Sequence, residues 1–238
     1  MRYVIFSIPF FISINSHASL SILLYHNIGD KPLSTSITED KFTQQMDYLS
    51  NNHFIVLHNN ELEQKLLSGF DFSNDKYIAI TFDDGWKSQK KAAKILSDRK
   101  LPAVFFMNGE PIENKYPAFL SVQDLIDLSN NPLFTIADHS YSHRAELLLP
   151  GGQTLVDDYE KNQKFLNKYI PNNSKTYAYP YGYLNSNYTK FLLSKNVKII
   201  HGVKQRKIFN SGVVKLTDLP RFVINNTISF EKFNEYIR

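Results

Sequence analysis

The chain has 238 residues, 42% hydrophobic and 21% charged, values that exclude disordered, collagen-like and multi-span membrane readings and suit one sizeable domain. Lys plus Arg (27) exceeds Asp plus Glu (23) by a net +4, but the basic residues are scattered, which argues against a nucleic-acid partner. Seven histidines and no cysteine exclude thiolate metal sites, disulfide scaffolds, cysteine nucleophiles and lipid attachment through cysteine, so any metal is held by nitrogen and oxygen.

Arg2 precedes an apolar run from Tyr3 to Ile14, followed by Asn15, Ser16, His17 and Ala18, the order of a secretory signal with cleavage after Ala18. The run is short of the roughly 20 residues a bilayer span needs, with an uncleaved N-terminal anchor as the alternative. Residues 1–18 are therefore read as a signal peptide and 19–238 as one domain, exported to the periplasm or beyond, without an integral span once the signal is removed.

Short runs rich in β-branched and aromatic residues predict strands at Leu20–Tyr25, Phe54–Leu57, Tyr77–Phe82, Ala103–Met107, Leu133–Ala137, Thr176–Tyr179 and Val197–Gly202. Between them, Thr38–Asn51 has a Thr38 cap and apolar Phe42, Met46 and Leu49 at helical spacing. Lys87–Lys100, Ser121–Asn130 and Thr154–Tyr169 read as helices in the same way. Strands alternating with helices imply an α/β fold with a parallel sheet, and about seven units in one domain favour a deformed (β/α)7-type barrel over an open doubly wound sheet. In such barrels the chemistry sits at the carboxyl ends of the strands, so the polar residues directly after each strand are the first candidates.

Two strand ends carry such residues. "YIAITF" runs into Asp83, Asp84, Gly85 and Trp86. Adjacent carboxylates at the end of a buried strand repel each other and lose hydration, so a cation or a shared proton must relieve them. Asp-Gly is equally a turn dipeptide, and Gly85 would let a sharp turn aim the two carboxylates at neighbouring points. "LFTIADHSYSH" ends in two histidines four apart, His139 and His143, which share a face if the segment coils into a helical turn. A pair of exposed imidazoles is the alternative, but the second strand end with its aspartates favours a two-histidine, one-carboxylate site open to water.

With these residues in view, "TFDDGW" followed by "HSYSH" resembles the first two motifs of the polysaccharide deacetylases, the NodB-homology group or carbohydrate esterase family 4. "YPYGY" (179–183) looks like their substrate-groove motif and "DLPR" (218–221) like their fourth, so the resemblance covers roughly residues 77–222. The opening "ILLYHNI" resembles the start of the exported biofilm poly-β-1,6-N-acetylglucosamine deacetylases, in which the general-acid histidine comes from the first strand.

The resemblance implies a NodB-homology barrel and a monomeric metal-dependent hydrolase that removes N-acetyl groups from an exported N-acetylglucosamine polymer. It makes Asp84, His139 and His143 ligands of one divalent ion, zinc being expected and cobalt, nickel, manganese or iron also admitted. It makes Asp83 the general base and His26 the general acid, with His201 in "KIIHGV" as the rival acid. Pro180 and Tyr181 fall in the groove motif, with a backbone N–H near Tyr181 facing the oxyanion. An arginine common in the family's third motif is absent here, and Arg221 stands in for it beside Asp218, although an Asp218–Arg221 pair is equally read as a structural ion pair. Trp86, the only tryptophan, is the expected sugar-facing wall, and Tyr25, Tyr141, Tyr181 and Tyr183 are candidates to stack on sugar rings. Peptidoglycan or chitin oligomers are alternative substrates, and a glycan-binding module with a structural metal is the alternative of a different class.

Overall fold

The structure is a computed structural model that describes residues 18–30, 33–144 and 153–238. The signal-peptide reading falls outside them. In chain order the elements are β1 (Ser19–Tyr25), α1 (Glu39–Asn51), β2 (Ile55–Val56), α2 (Asn59–Leu67), β3 (Lys76–Phe82), α3 (Gln89–Asp98), β4 (Ala103–Met107) and α4 (Gly109–Glu113). They continue with α5 (Val122–Asn130), β5 (Phe134–Asp138), α6 (Gln153–Tyr169), β6 (Thr176–Ala178), α7 (Ser186–Ser194), β7 (Ile199–His201), β8 (Phe222–Val223) and α8 (Phe230–Ile237). All seven expected strands and all four expected helices form, each end within two residues of its expected place.

The strands make one parallel sheet in the order β7-β6-β5-β4-β3-β1-β8, with β2 pairing β3 beside this path. Its ends approach each other. Leu219 bridges to His201 of β7, and three residues further on Phe222 and Val223 pair with Leu23 and Leu24 of β1. The segment 219–223 therefore spans the gap between the sheet's ends, which yields the deformed barrel-type sheet expected from the sequence.

Strand periodicity then decides which side chains face inward. On β3, Ile78, Ile80 and Phe82 pack toward the helices with Leu23, Tyr25 and Phe105, which leaves Thr81 and Asp83 on the opposite face. The same alternation puts Val104 and Phe106 of β4, Ala137 of β5 and Ala178 of β6 in one interior cluster. Continued past each strand end, it brings His26, Asp83, Asn108, His139 and His201 to the interior at the carboxyl edge.

Four helices were not predicted. α2 has a capping box between His58 and Glu61, and Asn185 caps α7 and Ser229 caps α8 through their side chains. α4 is a single turn on Gly109. Among the described residues, no helix is long and apolar enough to cross a membrane.

Candidate active site

Asp83 is 2% exposed. Its backbone N–H donates to the Tyr25 carbonyl at 3.0 Å, and its own carbonyl accepts from Gln89 Nε2 at 2.6 Å, which ties the end of β3 to β1 and α3. Its carboxylate is gripped by Arg221, whose Nη1 and Nη2 donate to Oδ1 and Oδ2 at 2.7 Å each. Arg221 is fully buried and also donates through Nε to the Gly202 carbonyl at 2.8 Å. Burial by itself would raise the pKa of Asp83, but Arg221, with His139 and His26 beside it, outweighs burial and holds the carboxyl well below the usual range. The cation missing from the third motif is thus supplied by the segment that closes the sheet.

Asp84 is aimed differently. It and Gly85 both take φ of +78°, so the chain turns left-handed directly after β3. A Cβ on Gly85 would lie 3.1 Å from Met107 Sδ in a backbone conformation L-residues rarely adopt, which accounts for the glycine. Asp84 Oδ1 lies 3.6 Å from Nε2 of both His139 and His143. Its Oδ2 accepts from Trp86 Nε1–H at 2.8 Å.

The two histidines do not share a helical turn. Ser140 and His143 take φ of 69° and 50°, and the loop they shape folds both imidazoles toward Asp84, their ring centroids 4.8 Å apart. His139 Nδ1 lies 2.8 Å from the Ala178 carbonyl. A carbonyl can only accept, so Nδ1 carries the proton and the Nε2 lone pair faces the aspartates. Burial pushes the His139 pKa down to about 4, which keeps the ring neutral and able to ligate.

One ligand atom from each of Asp84, His139 and His143 lies within 4.8 Å of the other two. Two imidazole nitrogens and one carboxylate oxygen, converging from two strand ends, are a donor set that fits a divalent cation of the zinc type. The histidine oriented by a carbonyl adds the outer-shell arrangement such sites use.

The loop bearing the histidines is clamped from behind by residues the sequence analysis did not single out. Asp158 of α6 accepts the backbone N–H of Tyr141 at 2.7 Å and the Ser142 hydroxyl at 2.7 Å. Asp138 points toward α6 and accepts from the Ser140 N–H and Gln163 Nε2, each at 2.7 Å, and burial pushes its pKa up to about 6. Asn108 donates to the His139 carbonyl at 2.6 Å. The available signal was the buried-side placement of Asp158 and Asn162 within the α6 period.

His26 follows β1 directly and is half-buried, with Nδ1 shielded from solvent and without a partner. His201 is fully buried, with neither ring nitrogen bonded, and its ring sits 5.1 Å from that of Phe106. Burial, aided by the Arg221 charge, lowers its pKa to about 3, which keeps the ring out of the imidazolium form near neutral pH. The two histidines thus differ in depth, His26 half-buried and His201 fully buried.

Asp218 does not meet Arg221. It pairs with Lys204 at 2.5 Å and packs against Gly202, where a Cβ would come within 2.3 Å of its Oδ1. Arg221 lies in the strand path, facing the interior, whereas Asp218 precedes that path, so in place of the alternative Asp218–Arg221 pair there are two separate ones.

Pro180 is buried and opens a short 3-10 turn in which Tyr181 takes φ of 57°. The Tyr181 side chain is exposed, packs on His143 with centroids 4.5 Å apart and donates its hydroxyl to the His143 carbonyl at 3.1 Å. On the other side of the Asp84, His139 and His143 cluster, Asp84 and His143 open into a cavity of about 280 Å³ walled by Trp86, Tyr116, Phe119 and Pro111. Tyr25 and Tyr141 are buried and bonded to Gln45 and Glu113, so neither is a sugar-facing ring; the core position of Tyr25 on β1 and the pull of Glu113 on Tyr141 are the reasons. Tyr183 is exposed. Of two larger depressions, one of about 700 Å³ around His58, Asn59 and Lys198 lies at the start of β5 to β7, away from these groups, and the other, around Arg144 and Asp157, adjoins the cavity through Glu110 and Ser142.

A parallel barrel-type sheet with two aspartates after β3 and two histidines after β5 defines a member of a known class: the chain belongs to the polysaccharide deacetylase family, whose profile matches residues 72–200. Within it, the chain is similar to the poly-β-1,6-N-acetyl-D-glucosamine N-deacetylases of Staphylococcus aureus, at 23% identity over 185 residues. That match covers 73% of this chain and 63% of the relative. Among solved structures, the Streptococcus pyogenes deacetylase PplD in complex with acetate superposes with a TM-score of 0.82 at 20% identity, covering 94% of this chain and 100% of that one. IcaB from Ammonifex degensii gives 0.81 at 22% identity, covering 92% and 97%. These structures share the fold.

Proposed function

We propose that the chain is a metal-dependent N-deacetylase that releases acetate from an exported N-acetylglucosamine polymer of the poly-β-1,6 type. The observation that carries this reading is the different setting of the two adjacent carboxylates: Asp84 Oδ1 lies 3.6 Å from both histidines, while Asp83, 3.6 Å from His139 alone, is gripped through both oxygens by Arg221. A glycan-binding module with a structural metal would have no use for a buried carboxylate kept ionised beside the ligands. The resemblance of "ILLYHNI" and the similarity to the staphylococcal deacetylases favour the poly-β-1,6 polymer, and the order of residues 2–18 favours export.

Asp84, His139 and His143 hold the cation. When bound, it supplies Lewis acidity, polarising the acetamide carbonyl and acidifying water enough for a carboxylate as weakly basic as Asp83 to take its proton. Asp83 remains ionised throughout the working range, and the two parallel bonds from Arg221 fix the plane of its oxygens. A backbone N–H at Tyr181, turned by its positive φ, faces the developing oxyanion. His26 donates a proton to the amine nitrogen as the C–N bond breaks, since an amine anion is a prohibitive leaving group near neutral pH. The aromatic wall of Trp86, Tyr116 and Phe119 receives the apolar faces of sugar rings.

The test is acetate release measured side by side on poly-β-1,6-N-acetylglucosamine, peptidoglycan and chitin oligomers, with zinc, cobalt, nickel, manganese and iron(II) supplied in turn. The poly-β-1,6 polymer is expected to be turned over fastest, and Asp83→Asn to lose acetate release while still binding metal. Faster turnover of peptidoglycan or chitin would reassign the substrate, and loss of metal from Asp83→Asn would overturn the division between the two aspartates.

A further inference from the structure

Trp86 stands two residues after Asp84, and the left-handed turn through Asp84 and Gly85 folds its indole back over the aspartate. The result is a hydrogen bond from Nε1–H to Asp84 Oδ2 at 2.8 Å, on the oxygen that does not face the histidines. Indole is a donor only, so the bond has one polarity and competes with nothing else on the ring.

The ring itself is immobilised. Phe119 stacks on it at 4.6 Å between centroids and 20° between planes. The backbones of the two segments are also bonded to each other, Lys87 N–H to the Ala118 carbonyl and Leu120 N–H to the Gly85 carbonyl, each at 2.9 Å. A carboxylate with one oxygen engaged by a fixed donor is hindered from rotating, and the engaged oxygen is the poorer ligand for a cation. Its remaining oxygen is left pointing at His139 and His143.

From this geometry we infer that Trp86 is a positioning residue for the metal site, holding Asp84 as a single-oxygen ligand through its indole N–H, in addition to forming part of the groove wall. The inference rests on the reading of Asp84, His139 and His143 as the cation site, and it goes beyond that reading by giving the only tryptophan of the chain a role in cation affinity.

Trp86→Phe separates the two roles, because phenylalanine keeps a flat apolar ring against Phe119 and lacks the N–H. The full chain and the variant are stripped of metal and titrated with Zn²⁺ and Co²⁺ in competition with a chromophoric chelator, and the Co²⁺ absorption band is recorded. Loss of an outer-shell partner weakens metal binding about tenfold to a hundredfold. The expectation is a loss in that range with an altered Co²⁺ band, and a kcat that falls while KM for the glycan holds. In the wild-type chain Trp86 also reports directly: its emission should change as Zn²⁺, a closed-shell ion, binds to the carboxylate it is bonded to, and this change should vanish in Asp84→Asn. The fluorescence titration needs no altered Trp86, so the idea stays testable if Trp86→Phe folds poorly. Equal affinity and an identical Co²⁺ band in Trp86→Phe, or Zn²⁺ binding to the wild type with unchanged emission, would overturn the role of Trp86 alone. A wild-type chain that takes up no cation would overturn the metal reading beneath it.

Discussion

Arg221→Leu tests the electrostatic heart of the site. Arg221 is 0% exposed and the Asp83 side chain 3%, and the pair is joined by two bonds of 2.7 Å. Removing the cation leaves Asp83 buried beside no compensating guanidinium, and breaking a buried pair on one side costs about 3–5 kcal/mol. At roughly 2–4 °C per kcal/mol for a domain of this size, the melting temperature should fall by roughly 6–20 °C. The pH dependence has a definite sign. In the wild type Asp83 has a pKa below its ordinary 3.8, so its contribution to stability is present above 3.8 and is lost only as the pH falls below it. In Arg221→Leu burial dominates and raises that pKa, so the contribution is present at acid pH and is lost as the pH rises through the raised value. The stability gap between the two proteins should therefore be widest near neutral pH and narrow toward pH 4, read from urea unfolding at both. Adding Asp83→Asn to Arg221→Leu removes the stranded charge and should recover much of the loss. A cost below about 1 kcal/mol, the range of an exposed pair, or a gap that widens on acidification, would refute the reasoning.

The two histidines at the interior edge predict opposite phenotypes. His26→Ala should abolish turnover of the acetamide polymer while sparing much of the hydrolysis of an activated ester, whose leaving group needs little protonation, whereas His201→Phe should leave the amide-to-ester ratio unchanged. Chelation should remove acetate release, which returns on adding zinc, and cation at a hundredfold excess over its Kd should raise unfolding stability by about 2.7 kcal/mol, measured by denaturant titration with and without metal. Asp158→Ala strips the partners from the Tyr141 N–H and the Ser142 hydroxyl. It should cost about 1–3 kcal/mol and loosen the histidine loop enough to weaken cation binding about tenfold or more in a chelator competition.

Which parts of this site were legible in the sequence follows from how each part is encoded. The strands were legible because their apolar runs are local. The fold class followed from their alternation with helices, and the chemistry followed from polar residues placed directly after Phe82 and Ala137. Relations that depend on depth or on a closing segment were not legible. His26 and His201 both follow the interior parity of their strands, and only the half-open end of β1, set against the closed packing of Phe106 and Arg221 around β7, separates a half-buried ring from a fully buried one. The partner of Arg221 stayed between two readings in the sequence for a related reason. Asp218 is close in sequence but lies before the segment that spans the sheet's ends, while Asp83, 138 positions away, faces the same interior.

The short-range case of Trp86 is the more instructive one, because proximity in sequence was available and still insufficient. An i, i+2 pair does not face itself on a helix, and in a strand it shares a face but stands about 6.6 Å apart with parallel side chains, so neither regular period folds residue 86 back onto residue 84. The contact exists because Asp84 and Gly85 both leave the regular regions, at φ of +78°, and Gly85 meets Met107 where a side chain would not fit. The glycine that reads in sequence as a turn is thus what brings the indole N–H onto the carboxylate. A substitution such as Gly85→Ala acts on the cation site through this bond as well as through backbone strain, and its effect on metal affinity should exceed that of Trp86→Phe.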